Sequence, residues 1–183
     1  MMTVRILVSY YHAFGSIGVR SIMTLMNTQR TLRFIVSITI PLLAGYIGSV
    51  FTTPALPIWY NALVKPALTP PSLVFAPVWT SLFLLMGVAF FLVWSTGAGS
   101  TKSKRAMGMF LFQLVVNMLW SVAFFGLQSP LLGLVVISIL WLSILCTMRS
   151  FYPISKTSTY LLLPYILWVS FASYLNYAIW TLN

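Results

Sequence analysis

The stretch SLVFAPVWTSLFLLMGVAFFLVWS, residues 72–95, decides the fold class. It carries no charge and is longer than the roughly 20 residues a helix needs to cross a hydrocarbon core. A transmembrane β-strand would be about half as long and would alternate polar with apolar positions. In a continuous apolar run, only a helix lets every backbone N–H and C=O find a partner within its own segment. Working outward, four further runs of this kind cover residues 34–51, 106–125, 131–147 and 158–182. The chain therefore reads as an all-α membrane protein, a bundle of five transmembrane helices.

Composition and charge order point the same way. Of 183 residues, 60% are hydrophobic and 5% charged, whereas soluble domains carry about 25% charged residues. Ten Lys and Arg stand against no Asp or Glu. Such a balance can signal nucleic acid, but these charges form short clusters between apolar runs, where anionic lipid headgroups are the natural contact. No nucleic-acid partner is expected. Arg5, Arg20, Arg30 and Arg33 precede the first span and Lys65 follows it. Lys102, Lys104 and Arg105 separate spans two and three, and Arg149 and Lys156 separate four and five. Five spans thus place nine basic residues on one membrane face and Lys65 alone on the other, as the positive-inside rule requires.

Two segments are expected. Residues 34–183 form the membrane domain. Residues 1–33 are a basic extension, read as a flexible tail or a start-site artefact, with a surface helix and a transit peptide as the other readings. Small residues at the start of span three, Ala106 and Gly108, are candidates for a helix–helix contact between copies.

The chemistry left open is narrow. Without Asp or Glu there is no carboxylate base and no carboxylate metal ligand. One histidine, His12, and one cysteine, Cys146, make no zinc site and no internal disulfide. No nucleophile elbow or phosphate-binding loop is present. Neither a metal, a cofactor nor a conventional catalytic constellation is expected.

Aromatic residues are what the chain has in abundance: seven Trp, nine Tyr and thirteen Phe. Trp59, Tyr60, Trp94 and Trp180 sit at span ends and read as interfacial anchors. Trp79, Trp120, Trp141 and Trp168 lie deeper, where each indole N–H needs a partner. Helical spacing places Gln113, Asn117 and Trp120 on one face of span three. It aligns Trp168, Ala172, Leu175 and Asn176 on span five, and Trp79, Phe83, Met86 and Phe90 on span two. Such stripes either glue helices together or wall a cavity for a flat ligand. Gly45, Gly48 and Ser49 on span one permit close approach of a backbone or a ligand.

Three blocks, WYNALVKPALTPPSLVFAPVWTSLFLLMGVAFFLVW (59–94), QLVVNMLWSVAFFG (113–126) and PYILWVSFASYLNYAIW (164–180), resemble the translocator protein and tryptophan-rich sensory protein family (TspO/MBR). That resemblance implies a five-helix bundle, often a homodimer. It also implies a receptor or carrier for tetrapyrroles such as protoporphyrin and haem intermediates, with sterols bound by animal members. Light-dependent porphyrin breakdown by pocket tryptophans is the alternative activity. The implied pocket lies between helices one, two, three and five and involves Ser49, Trp79, Phe83, Asn117, Trp120, Trp168, Ala172 and Leu175. A bacterial membrane is the expected location, with the mitochondrial outer membrane as the alternative.

Two departures stand out. Leu73 replaces a tryptophan common in the family. No basic residue follows Tyr177 on the last helix, which weakens the expectation of sterol binding. The loop between spans one and two is stiffened by Pro66, Pro70 and Pro71 and suits a lid. Its Lys65 has no acidic partner in the chain, so it reads either as a contact for a ligand propionate or as a snorkelling residue at the membrane edge.

Overall fold

The computed structural model describes residues 28–183; Arg5, His12, Arg20 and most of the 1–33 extension lie outside the described residues. Five helices in this region are long and apolar enough to cross a membrane: α1 (Thr28–Tyr60), α2 (Ser72–Thr96), α3 (Thr101–Gly126), α4 (Pro130–Phe151) and α5 (Lys156–Leu182). All five expected spans are present, and the described part of the extension, 28–33, is helical and runs into the first span without a break.

α1 outruns its apolar core at both ends. Its 33 residues correspond to about 50 Å of helix, against ~30 Å of hydrocarbon. Pro54 and Pro57 do not stop it, and its last turn, Leu56–Tyr60, winds as a π helix in which the Asn61 N–H reaches back to the Leu56 carbonyl, a wider i→i+5 register. A second π turn, Val122–Gly126, ends α3. α5 breaks briefly at Leu162, between Lys156–Leu161 and Leu163–Leu182, where Pro164 has no N–H to give the preceding turn. Serines start three helices: Ser100, Ser129 and Ser155 accept from the N–H of Ser103, Leu132 and Ser158, the ordinary N-cap bond.

Around the bundle, α1 packs on α2, α2 on α5, α5 on α4, α4 on α3, and α3 back on α1. α1 and α2 approach closely at Gly87, where a Cβ would lie 2.9 Å from both the Ile38 Cα and the Ser37 carbonyl oxygen. Rings fill the basic half, with Phe110 stacked between Phe90 (4.8 Å) and Phe151 (5.8 Å). Ala106 is fully buried in this core and so cannot face another copy, whereas Gly108 is exposed with open space around it.

The five spans put the described cations where charge order predicted. Arg30, Arg33, Lys102, Lys104, Arg105, Arg149 and Lys156 gather at one end, and Lys65 stands at the other. Arg33 lies over the Trp94 ring at 5.9 Å, tying the start of α1 to the end of α2.

Candidate functional site

The half of the bundle away from the basic face holds a cavity of about 370 Å³. α1 lines it from Leu42 to Tyr60, α2 through Phe75, Ala76, Trp79, Thr80 and Phe83, and α3 through Asn117, Trp120, Ser121 and Phe125. Tyr46, Ser49, Thr53, Ala76 and Thr80 among these are exposed, so the cavity opens sideways between α1 and α2 toward lipid.

Aromatic rings form its inner wall. Trp79 is the hub, near-parallel to Phe83 (5.6 Å, 27°) and to Trp120 (6.0 Å, 32°), and edge-on to Tyr165 (6.3 Å). Trp120 continues the stack onto Phe124 (6.0 Å, 18°). The two π turns close one end, with Trp59 edge-on to Phe124 at 5.3 Å and Tyr60 5.8 Å from Phe125. Gly45 gives the Phe83 ring room to lie against α1, since a Cβ there would collide with it.

Polar groups are few and mostly committed. Ser49, Thr52 and Thr80 donate their hydroxyl protons to the carbonyls of Tyr46, Gly48 and Ala76, leaving oxygen lone pairs outward. The Asn117 amide donates to the Tyr165 hydroxyl (3.1 Å), which itself donates to Gln113 Oε1 (2.9 Å). Trp120 Nε1 donates to Asn176 Oδ1 (2.9 Å), and Asn176 Nδ2 donates to the Pro130 carbonyl (3.1 Å). The face of α3 carrying Gln113, Asn117 and Trp120 therefore does two jobs. It bonds α3 to α5 across the bundle, and through Asn117 and Trp120 it lines the cavity.

Of the residues named from sequence, Ser49, Trp79, Phe83, Asn117 and Trp120 meet at the cavity. Trp168, Ala172 and Leu175 lie on α5, outside the lining. Ala172 and Leu175 are buried, and Trp168 packs edge-on against the cavity residue Phe75 at 5.9 Å. Lys65 stands at the rim, its Nζ 4.9 Å over the ring of the lining residue Tyr60 and 3.3 Å from the Asn61 carbonyl. Tyr60 itself is buried at 6% exposure, which corrects its reading as a wet interfacial anchor: the π turn rolls its ring inward onto Phe124 and Phe125.

Tyr165 and Phe75 are the neighbours of the cavity that the stripes missed: Phe75 lines it, and Tyr165 touches its Asn117 and Trp79. Tyr165 precedes Asn176 by eleven residues, three helical turns, so the face of α5 carrying Ala172 and Asn176 already pointed to it. Phe75 stands one turn before Trp79. The loop of residues 61–71 is fastened to the end of α5 by a two-way amide pair: the Val64 N–H donates to Asn183 Oδ1 and Asn183 Nδ2 donates to the Val64 carbonyl, each at 3.0 Å.

These features define a multi-pass integral membrane protein, a five-helix bundle with an aromatic cavity in one half. The chain belongs to the TspO/MBR family, whose family model matches residues 37–181. It is similar to the tryptophan-rich protein TspO of Chlorobaculum tepidum, 46% identical over 158 residues, 86% of this chain and 99% of that protein. The tryptophan-rich protein TspO of Archaeoglobus fulgidus is 43% identical over 152 residues, 83% of this chain and 97% of its own length. The human translocator protein is 34% identical over 144 residues, 78% of this chain and 85% of its own length.

Proposed function

We propose that the protein is a membrane receptor or carrier that holds a tetrapyrrole, protoporphyrin or a haem intermediate, in this cavity. The observation that carries the reading is the run of near-parallel rings Phe83–Trp79–Trp120 along the cavity wall, backed by Phe124 behind it. Flat aromatic faces attract a flat conjugated ligand by offset stacking, and an apolar pocket with a few placed polar groups is the usual form of a small-molecule site. The opening between α1 and α2 suits a ligand dissolved in the bilayer. Lys65 at the rim has no acidic competitor in the chain, and its ammonium keeps N–H groups beyond the one given to the Asn61 carbonyl to pair with a propionate left at the mouth. The names of the relatives, translocator and tryptophan-rich protein, are in keeping with a role in moving or sensing such a ligand. A homodimer is part of the same reading, with the exposed side of α3 near Gly108 as its contact.

The test is a titration of the purified protein with protoporphyrin in the dark, following quenching of Trp fluorescence. Saturation near one ligand per chain, weakened in Asn117→Ala, supports the site. Quenching that rises linearly and alike in both proteins overturns it. Illuminating the saturated sample then separates holding the porphyrin from breaking it down.

A further inference from the structure

The cavity stops near the middle of the bilayer. Leu42, the lining residue of α1 nearest the basic end, stands about 14 Å along the helix from Arg33, close to the midplane of a ~30 Å hydrocarbon core. Phe83 on α2 and Asn117 on α3 mark the same floor. From there to the basic face the bundle is solid. Met86, Ala89, Val93, Ala106, Phe110 and Phe151 are fully buried, and the stack of Phe90, Phe110 and Phe151 crosses from α2 through α3 to α4. Interiors packed in this way hold few gaps larger than a water molecule, so a flat four-ring ligand cannot pass without parting the helices.

The two halves are also fastened differently. In the basic half, side chains of one helix reach the backbone of the next. Ser103 Oγ on α3 donates to the Val93 carbonyl on α2 (3.2 Å), and Thr159 Oγ1 on α5 to the Met148 carbonyl on α4 (3.3 Å). Thr147 Oγ1 on α4 donates within its own helix to Ser143 (2.8 Å) and shares that proton with the Met109 carbonyl of α3 (3.4 Å). α1 is held to α2 by the close backbone approach at Gly87 and by Arg33 over Trp94. Each such contact is modest, but together they join neighbouring helices across one close-packed layer. In the other half, the hydroxyls beside the α1–α2 opening, Ser49, Thr52 and Thr80, each donate to a carbonyl of their own helix. None of these protons ties α1 to α2.

We propose that the protein takes up and returns its ligand on one side only, through the α1–α2 opening and the leaflet opposite the basic face. The basic half stays shut, and nothing crosses the bilayer through the bundle. Whatever delivers the tetrapyrrole and whatever receives it then act on that same leaflet, and the protein is a receptor or a carrier within one leaflet rather than across the membrane. This inference rests on the cavity being the ligand site, and its test is arranged so that the two fail separately.

The experiment uses full-length protein carrying Cys146→Ser in lipid vesicles. Its first arm places one thiol in each half. Ala76→Cys stands at the exposed mouth of the cavity. Ser37→Cys is a near-isosteric change in the basic half, at a fully buried residue whose hydroxyl has no partner to lose, and Ser103→Cys repeats the measurement on α3, where the residue is again fully buried. A membrane-permeant maleimide is expected to label Ala76→Cys, and to label the two buried thiols more slowly by about tenfold or more, with full labelling of all three after unfolding in SDS. Saturating protoporphyrin should leave that contrast in place. Labelling of both buried thiols at the rate of Ala76→Cys, with or without the porphyrin, overturns the proposal. In the second arm, protoporphyrin added outside is collected by albumin trapped inside the vesicles. Passage is expected at the same rate with the wild type and with Ser49→Phe, whose cavity is obstructed, although the wild type binds the porphyrin more tightly. Faster passage with the wild type overturns one-sided exchange and keeps the site. Absence of saturable binding overturns the site, and the buried thiols then decide whether the basic half opens.

Discussion

Replacing Tyr165 with Phe removes a single oxygen from the middle of the bundle. That oxygen accepts from Asn117 at 3.1 Å and donates to Gln113 at 2.9 Å, and the side chain is 1% exposed. Hydrogen bonds between transmembrane helices average ~0.6 kcal/mol and reach about 1.7, so two of them contribute about 1–2 kcal/mol. The loss falls mainly on Gln113, also 1% exposed, because its Nε2 already lacks a partner and its Oε1 then lacks one too. Asn117 faces the cavity and can recover a partner there. Tyr165→Phe should therefore destabilise by about 1–2 kcal/mol, and Gln113→Leu in the same background should cost less than Gln113→Leu alone. The expected coupling between the two sites is about 1 kcal/mol, measurable in a double-mutant cycle. Unfolding by SDS in mixed micelles, followed by far-UV circular dichroism, gives the four stabilities. If Tyr165→Phe lies within ~0.3 kcal/mol of the wild type, or the two changes add to within that margin, the α3–α5 network holds nothing together and this reasoning fails.

Other expectations follow from single contacts. Gly87→Ala places a methyl 2.9 Å from the backbone of α1 and should cost about 1–3 kcal/mol by overpacking, whereas Gly108→Ala, with nothing within 4 Å, should leave the melting temperature unchanged or slightly raised. Asn183→Ala removes both bonds to Val64, so hydrogen exchange at the Val64 amide should accelerate while amides in the α3 core keep their rates. Lys65→Cys and Lys104→Cys, otherwise in a Cys146→Ser background, should be labelled by an impermeant thiol reagent from opposite sides of the membrane; labelling from the same side would contradict the five-span topology.

Span positions were legible because lipid leaves so few options: an uncharged run of membrane length becomes a helix, and the order of charges orients it. Helical periodicity also identified the face of α3 that carries Gln113, Asn117 and Trp120. It could not say which neighbour that face would meet. Periodicity gives a direction around one helix but no distance to the next, so Ala172 and Leu175 share a buried face with Asn176 without reaching the cavity. The π turns were hidden for a related reason. A local i→i+5 register leaves no period in the sequence, yet at Leu56–Tyr60 it ends α1 with Tyr60 turned into the cavity. Tyr165 was overlooked because one tyrosine in an apolar span looks like ordinary packing until the two amides that meet its hydroxyl are placed beside it.

The most direct test of the account fills the cavity from its open side. Ala76→Phe and Ser49→Phe enlarge exposed lining residues and disturb little of the core. Val135→Phe, at an exposed position of α4 outside the cavity, is the control. Protoporphyrin affinity measured in nanodiscs should fall about tenfold or more in the two cavity variants and stay at the wild-type value in the control. Equal affinity in all four proteins, or uptake no greater than by discs without protein, would contradict the claim that this cavity is where the ligand sits.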